Sequence, residues 1–167
     1  MDLLIVRHAI AAERNPQRWP DDRERPLTPE GSLRAQRAAT GLKRIAGRPG
    51  LLLTSPLVRA RQTAAILSEC AGWPEALECA ALAPGASPEA ALKALQARPH
   101  ERRIAVVGHQ PRLGQLIACC LPGAVHPQAI ELKKFGVALL SFDGIARPEG
   151  AVLRWLLAPG VLRAVRR

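Results

Sequence analysis

The sequence predicts an α/β domain of three layers, α/β/α, around a mainly parallel central sheet. Three observations carry that prediction. Short apolar runs, LLIV at 3–6, LLLTS at 51–55 and IAVVG at 104–108, read as strands buried on both faces. Stretches with helical spacing lie between them, as a parallel sheet with crossover helices requires. Polar residues able to do chemistry stand where the apolar runs end, at the carboxyl edge where such sheets bind ligands.

In chain order, the first strand ends on Arg7 and His8. Residues 14–26, charged and rich in proline, form the one long loop. A helix follows over 29–46, opened by Thr28-Pro29, in which the hydroxyl caps an N–H and proline presets φ. Its spacing puts Leu33, Ala38, Leu42 and Ile45 on the core side, with Arg and Lys opposite. The second strand passes through Ser55-Pro56, read the same way, into a helix over 56–71 with Leu57, Ala60, Ala64 and Leu67 facing inward. Helical spacing recurs at 88–97 and 111–121, on either side of the strand that ends at His109. Near the C-terminus, VALLSFD (137–143) and AVLRWLL (151–157) read as two strands around a turn with Gly144 and Gly150. No internal repeat, low-complexity tract or linker interrupts the chain, so residues 1–167 are expected to form one domain.

Composition narrows the partners. With a net charge of +10, the chain favours anions. Most of its arginines are scattered over helices and loops as a solvated surface, and the tight cluster is Arg163, Arg166 and Arg167. No basic stretch carries interleaved aromatics and tyrosine is absent, so nucleic acid is not an expected partner. The cysteines, Cys70, Cys79, Cys119 and Cys120, lack zinc-ligand spacing, and Cys119-Cys120 reads as small buried hydrophobes. The N-terminal apolar run is too short for a signal segment or a membrane span, so the expected location is the cytoplasm, with no membrane partner. The expected assembly is a monomer or weak oligomer.

The sheet edge would gather Arg7, His8, Arg59 and His109. Two guanidiniums and two imidazoles, with helix N-termini nearby, match a phosphoryl group in charge and size. One neutral imidazole can act as nucleophile, and a second, protonated by the phosphate, can stabilise charge in the transition state.

These residues lie in LIVRHAIAAE, RPLTPEG, SPLVRARQTA and VVGHQP, which together resemble the histidine phosphatase superfamily, and within it the SixA-like phosphohistidine phosphatases. The resemblance runs in order over almost the whole chain. It implies a phosphoglycerate mutase-like fold, with His8 as the nucleophile that becomes phosphorylated and Arg7, Arg59 and His109 as phosphate-binding residues. It implies no metal and no cofactor. Three features depart from the wider family. Ala9 stands where glycine is usual, which needs a negative φ. The acid that many larger relatives place after the second-arginine helix has no counterpart in ECAALAPGAS, where Glu78 precedes the apolar run and Leu82-Ala83-Pro84 takes the place. The chain also has no room for a large cap insert. Asp22 and Glu24 of the long loop are the positions from which a substitute acid, or a residue at the site mouth, would act.

Imidazole, with a conjugate-acid pKa near ~6.5, is a good leaving group without an acid, whereas an alkoxide is not. An uncapped pocket also admits a side chain of a folded protein. The expected substrate is therefore phosphohistidine on a signalling or phosphotransfer protein. The alternatives are a phosphatase of small metabolites or nucleotides and a non-catalytic phosphate-binding module.

Overall fold

Strands β1 (Asp2–Arg7), β2 (Leu51–Thr54), β3 (Ala76–Glu78), β4 (Arg103–Gly108), β5 (Val137–Phe142) and β6 (Ala151–Leu157) form one sheet in the order β3-β2-β4-β1-β5-β6. The first four run parallel, while β5 is antiparallel to β1 and β6 to β5. The structure is a computed structural model and describes residues 1–123 and 125–165, so Arg166 and Arg167 of the basic cluster lie outside the described residues.

Alternation along each central strand divides the apolar side chains between two layers. Leu4 and Val6 of β1, with Ala105 and Val107 of β4, pack under α1 (Pro29–Ile45), α2 (Val58–Ala71) and α5 (Pro159–Ala164). Leu3, Ile5, Ile104 and Val106 pack on the other side, under α3 (Pro88–Gln96) and α4 (Arg112–Cys120). Fully buried aliphatic side chains of this kind contribute roughly 2 kcal/mol each, and the core relies on them because aromatics make up only 3% of the chain.

Several local expectations need correction. In α1, Leu33 is 49% exposed and Ile45 38% exposed; the buried face is Gly31, Ala35, Ala38, Ala39, Gly41 and Leu42. Small residues won because the helix lies close to its neighbours. A Cβ on Gly41 would overlap the Leu162 carbonyl of α5, and one on Gly31 would overlap the Ile10 carbonyl just past β1. Thr28 does cap α1, accepting from the Gly31 N–H at 2.9 Å. Ser55 does not cap α2 in the same way, because that helix starts later, at Val58, and the hydroxyl is engaged elsewhere. The short edge strand β3 and the helix α5 are not predicted from the sequence. The loop at 14–26 contains a 3-10 turn, Asp22–Glu24, and is tied to the domain by a bridge between Ala11 and Leu27.

Candidate active site

Register brings the two histidines together. Arg7 pairs with Gly108 at the last position of the parallel β1–β4 ladder, so His8 and His109 are the next residues after adjacent strands. Their rings lie 5.0 Å apart between centroids, tilted by 52°. On the far side of β4, Thr54 pairs with Val107, which sets Ser55 beside the same exit. His8, Arg59, His109 and Ser55 are all buried.

Hydrogen bonds give the two rings complementary roles. His8 Nδ1 lies 2.7 Å from the Ala9 carbonyl. A carbonyl only accepts, so Nδ1 carries the proton and Nε2 presents its lone pair. Burial, followed by the charge of Lys134 and the neighbouring His109, pushes the His8 pKa down to about 2 against the opposing pull of the Ala9 bond. The ring is thus neutral at physiological pH. His109 Nε2 lies 2.8 Å from Ser55 Oγ, which accepts a 3.4 Å bond from the Leu57 N–H. Nε2 is the one acceptor for the Ser55 hydroxyl among the described residues, so the serine donates and the His109 proton resides on Nδ1. Burial, then Arg59 and Lys134, holds His109 neutral as well, with a pKa near about 3.

The arginines are anchored through their outer nitrogens. Arg7 Nη1 donates to the Leu132 carbonyl at 2.6 Å. Arg59 Nη1 donates to the Asp22 carbonyl at 2.7 Å and Nη2 to the Asp22 carboxylate at 3.0 Å. What remains is distinctive. Arg7 Nε, Arg59 Nε and His109 Nδ1 are buried and have no hydrogen-bond partner in the protein, although buried N–H groups are nearly always paired. The other such atom among the described residues, Trp73 Nε1, belongs to the layer under α1 and α2.

Asp22 lies at the site, while Glu24 is exposed in the same turn and makes no side-chain hydrogen bond or ion pair among the described residues. The Asp22 carboxylate also accepts from Arg25 Nε at 2.8 Å, and Arg25 reaches the Ala12 carbonyl at 2.7 Å. The Arg25 bond, aided by Arg59, holds the Asp22 carboxyl below the usual carboxylate range. At the position after the second-arginine helix, Glu78 forms an exposed pair with Arg61, and Leu82 is buried.

Sequence reasoning did not single out Ser55 as a partner of His109, nor Thr63, Arg25 and Lys134. Thr63 Oγ1 donates to the Arg59 carbonyl at 2.7 Å and accepts from the Ala9 N–H at 3.0 Å, stitching α2 to the exit of β1. Ala9 itself avoids positive φ, so the usual glycine is not needed. Lys134 lies on the turn before β5, half-buried. The next residue, Phe135, has φ of 60° and donates its N–H to the Arg7 and His8 carbonyls at 3.1 and 3.2 Å. Burial and the charges of Arg7, Arg25 and Arg59 lower the Lys134 pKa to about 8. A basic pair directly before an apolar strand, LKKFG, was the available signal. His100 and His126 are exposed. Gln110 holds the turn after His109 by bonding the Ile130 carbonyl and the Gly114 N–H.

Comparison with known proteins bears on the family and the fold. The family description Histidine phosphatase superfamily (branch 1) matches residues 3–82. An uncharacterized protein of a Picosynechococcus strain is 37% identical over 150 residues, 88% of each chain. The structure of the protein histidine phosphatase SixA complexed with tungstate superposes with a TM-score of 0.83 at 27% identity, covering 97% of this chain and 99% of that one. A provisionally assigned α-ribazole-5′-P phosphatase from Escherichia coli covers 100% of both chains with a TM-score of 0.74, and at 20% identity it shows the shared fold. No helix among the described residues is long and apolar enough to cross a membrane. These likenesses support phosphatase activity on a phosphorylated substrate. The family match over residues 3–82, together with the superposition on SixA, shows that the chain belongs to the histidine phosphatase superfamily.

Proposed function

We propose that the protein hydrolyses phosphohistidine on a signalling or phosphotransfer protein, through a covalent intermediate on His8, and that residues 1–167 act as one catalytic domain. The supporting observation is the set of three buried N–H groups without a partner, on Arg7, Arg59 and His109, together with a neutral His8 whose ring lies 5.0 Å from that of His109 and whose Nε2 lone pair is available. Those donors suit the three outer oxygens of a phosphoryl group. In this reading Nε2 attacks phosphorus as the substrate's P–N bond breaks. The bonding pair goes to the substrate imidazole, which carries a proton on its other nitrogen and departs as a neutral ring. Water then attacks phospho-His8, the electron pair of the P–N bond returns to Nε2, and the water's protons leave with inorganic phosphate and solvent.

The substrate class is supported by Asp22, the carboxylate bonded to a site arginine. Arg25 and Arg59 keep it ionised, so it has no proton to give a leaving alkoxide. A leaving imidazole needs none. The decisive experiment compares kcat/KM for a phosphohistidine-bearing phosphotransfer protein with values for sugar phosphates and nucleotides. We expect a preference of at least about a hundredfold for the protein. Faster turnover of the small monoesters would replace this reading with a metabolite phosphatase.

A further inference from the structure

Beside the phosphoryl site lies a groove of about 170 Å³ between α1, α5 and the turn before β5. It shares Ala9, the residue after the nucleophile, and Lys134 with the site itself. Its floor includes Ile10, Gly31 and Phe135, and the charged side chains lining it are Arg34 from α1, Lys134 from the turn and Arg163 from α5. Among the described residues no carboxylate lines it. Glu30 pairs with Arg34 at 2.5 Å across the exposed helix surface, outside the groove.

Two features single out this groove among the basic surfaces of the chain. Lys134 is half-buried among Arg7, Arg25 and Arg59 and has no ion pair or hydrogen bond among the described residues, an arrangement that favours an added anion. Its backbone is also fixed with respect to the nucleophile. Phe135, a non-glycine residue at positive φ, is bonded to the carbonyls of both Arg7 and His8, and such strained conformations persist where the surroundings enforce them. The volume is below the ~300 Å³ at which pockets for whole small molecules begin, so the groove suits one side chain better than a nucleotide. Apolar walls with cationic rims match the methylenes and carboxylate of an acidic residue.

We infer that this groove takes an acidic side chain of the substrate protein that stands close to its phosphohistidine, so that Arg34, Lys134 and Arg163 select the substrate. The inference rests on the phosphohistidine reading above. Its test uses phosphohistidine peptides carrying Glu or Gln at successive positions within one helical turn of the modified residue. For the wild-type chain, the best Glu peptide should exceed its Gln twin about tenfold in kcat/KM at low salt. That advantage should shrink towards unity near 1 M salt, where the screening length is only ~3 Å. In the Arg34→Gln, Arg163→Gln double variant the ratio should fall close to one at low salt. Equal turnover of every Glu and Gln pair by the wild-type chain would overturn the groove and leave phosphohistidine hydrolysis standing, as would a Glu advantage that survives the double substitution. Absence of turnover on all peptides would overturn the phosphohistidine reading, and this inference with it.

Discussion

Ser55 Oγ and His109 Nε2 stand 2.8 Å apart in a buried position, so a residue expected only to start a helix instead fixes the proton on a site histidine. Ser55→Ala would leave Nε2 buried without a partner and release the tautomer. We expect kcat to fall by on the order of tenfold and stability by about 1–3 kcal/mol. Steady-state kinetics with denaturant unfolding checks this, and an unchanged kcat would remove Ser55 from the mechanism.

A phosphoryl group carried on His8 should be trapped by rapid acid-free quenching and read by phosphorus NMR as an acid-labile phosphoramidate. His8→Ala has no Nε2 and should show neither label nor turnover, a loss of at least about a thousandfold. Labelling that persists in this variant would place the nucleophile elsewhere, and a wild-type chain that binds phosphate but never labels would be a binding module.

Stability should fall as the solution is acidified through the histidine range. His8 and His109 are held near about 2 and about 3, whereas unfolded rings titrate near ~6.5. Between those values the unfolded chain binds more protons, so the contribution of each ring is fully present above pH ~6.5 and declines by about 1.4 kcal/mol per pH unit below it. Asp2 and Asp22, both lowered, add a loss of the same sign at more acidic pH. Denaturation curves at pH 7 and 5 should differ by about 4 kcal/mol, and coincident curves would contradict the buried neutral rings.

An oxyanion should reverse the charge balance around His109. Burial, Arg59 and Lys134 keep the ring neutral in the free chain, and a bound dianion opposes those cations. Tungstate binding near pH 6 should therefore be accompanied by proton uptake, seen by calorimetry in buffers of different ionisation enthalpy. The uptake should vanish in His109→Gln. A wild-type chain that binds tungstate without taking up protons would exclude His109 as the group that charges.

Gly41 tests the packing far from the chemistry. An added Cβ meets the Leu162 carbonyl, so Gly41→Ala must push α5 away from α1 in spite of alanine's better helix propensity. A loss of about 1–3 kcal/mol is expected in thermal or chemical unfolding. A stabilised variant would mean the two helices can separate at no cost.

The central strands were legible because parallel strands buried on both faces leave uninterrupted apolar runs. Where those runs stop is also where the sheet edge lies, which is why Arg7, His8 and His109 were readable as neighbours. The face of α1 was misread because large residues dominate a periodicity pattern, while close contact with α5 and the Ile10 loop selects alanine and glycine. Strand β3 is only Ala76–Glu78, too short and too exposed to alternate visibly. Ser55 and Lys134 escaped for a different reason. Each is a single polar residue whose meaning comes from a partner dozens of residues away, His109 in one case and the arginines of β1 and α2 in the other.

β1 has hydrogen-bonded neighbours on both sides, β4 and β5, whereas Asp22 reaches Arg59 from a surface loop. The histidine proposed as nucleophile thus directly follows a central strand held on both sides, while the carboxylate that bonds Arg59 is carried on a surface loop. On that reading, substitutions along residues 14–25 would retune the surroundings of Arg59 and leave the strand that carries His8 in place.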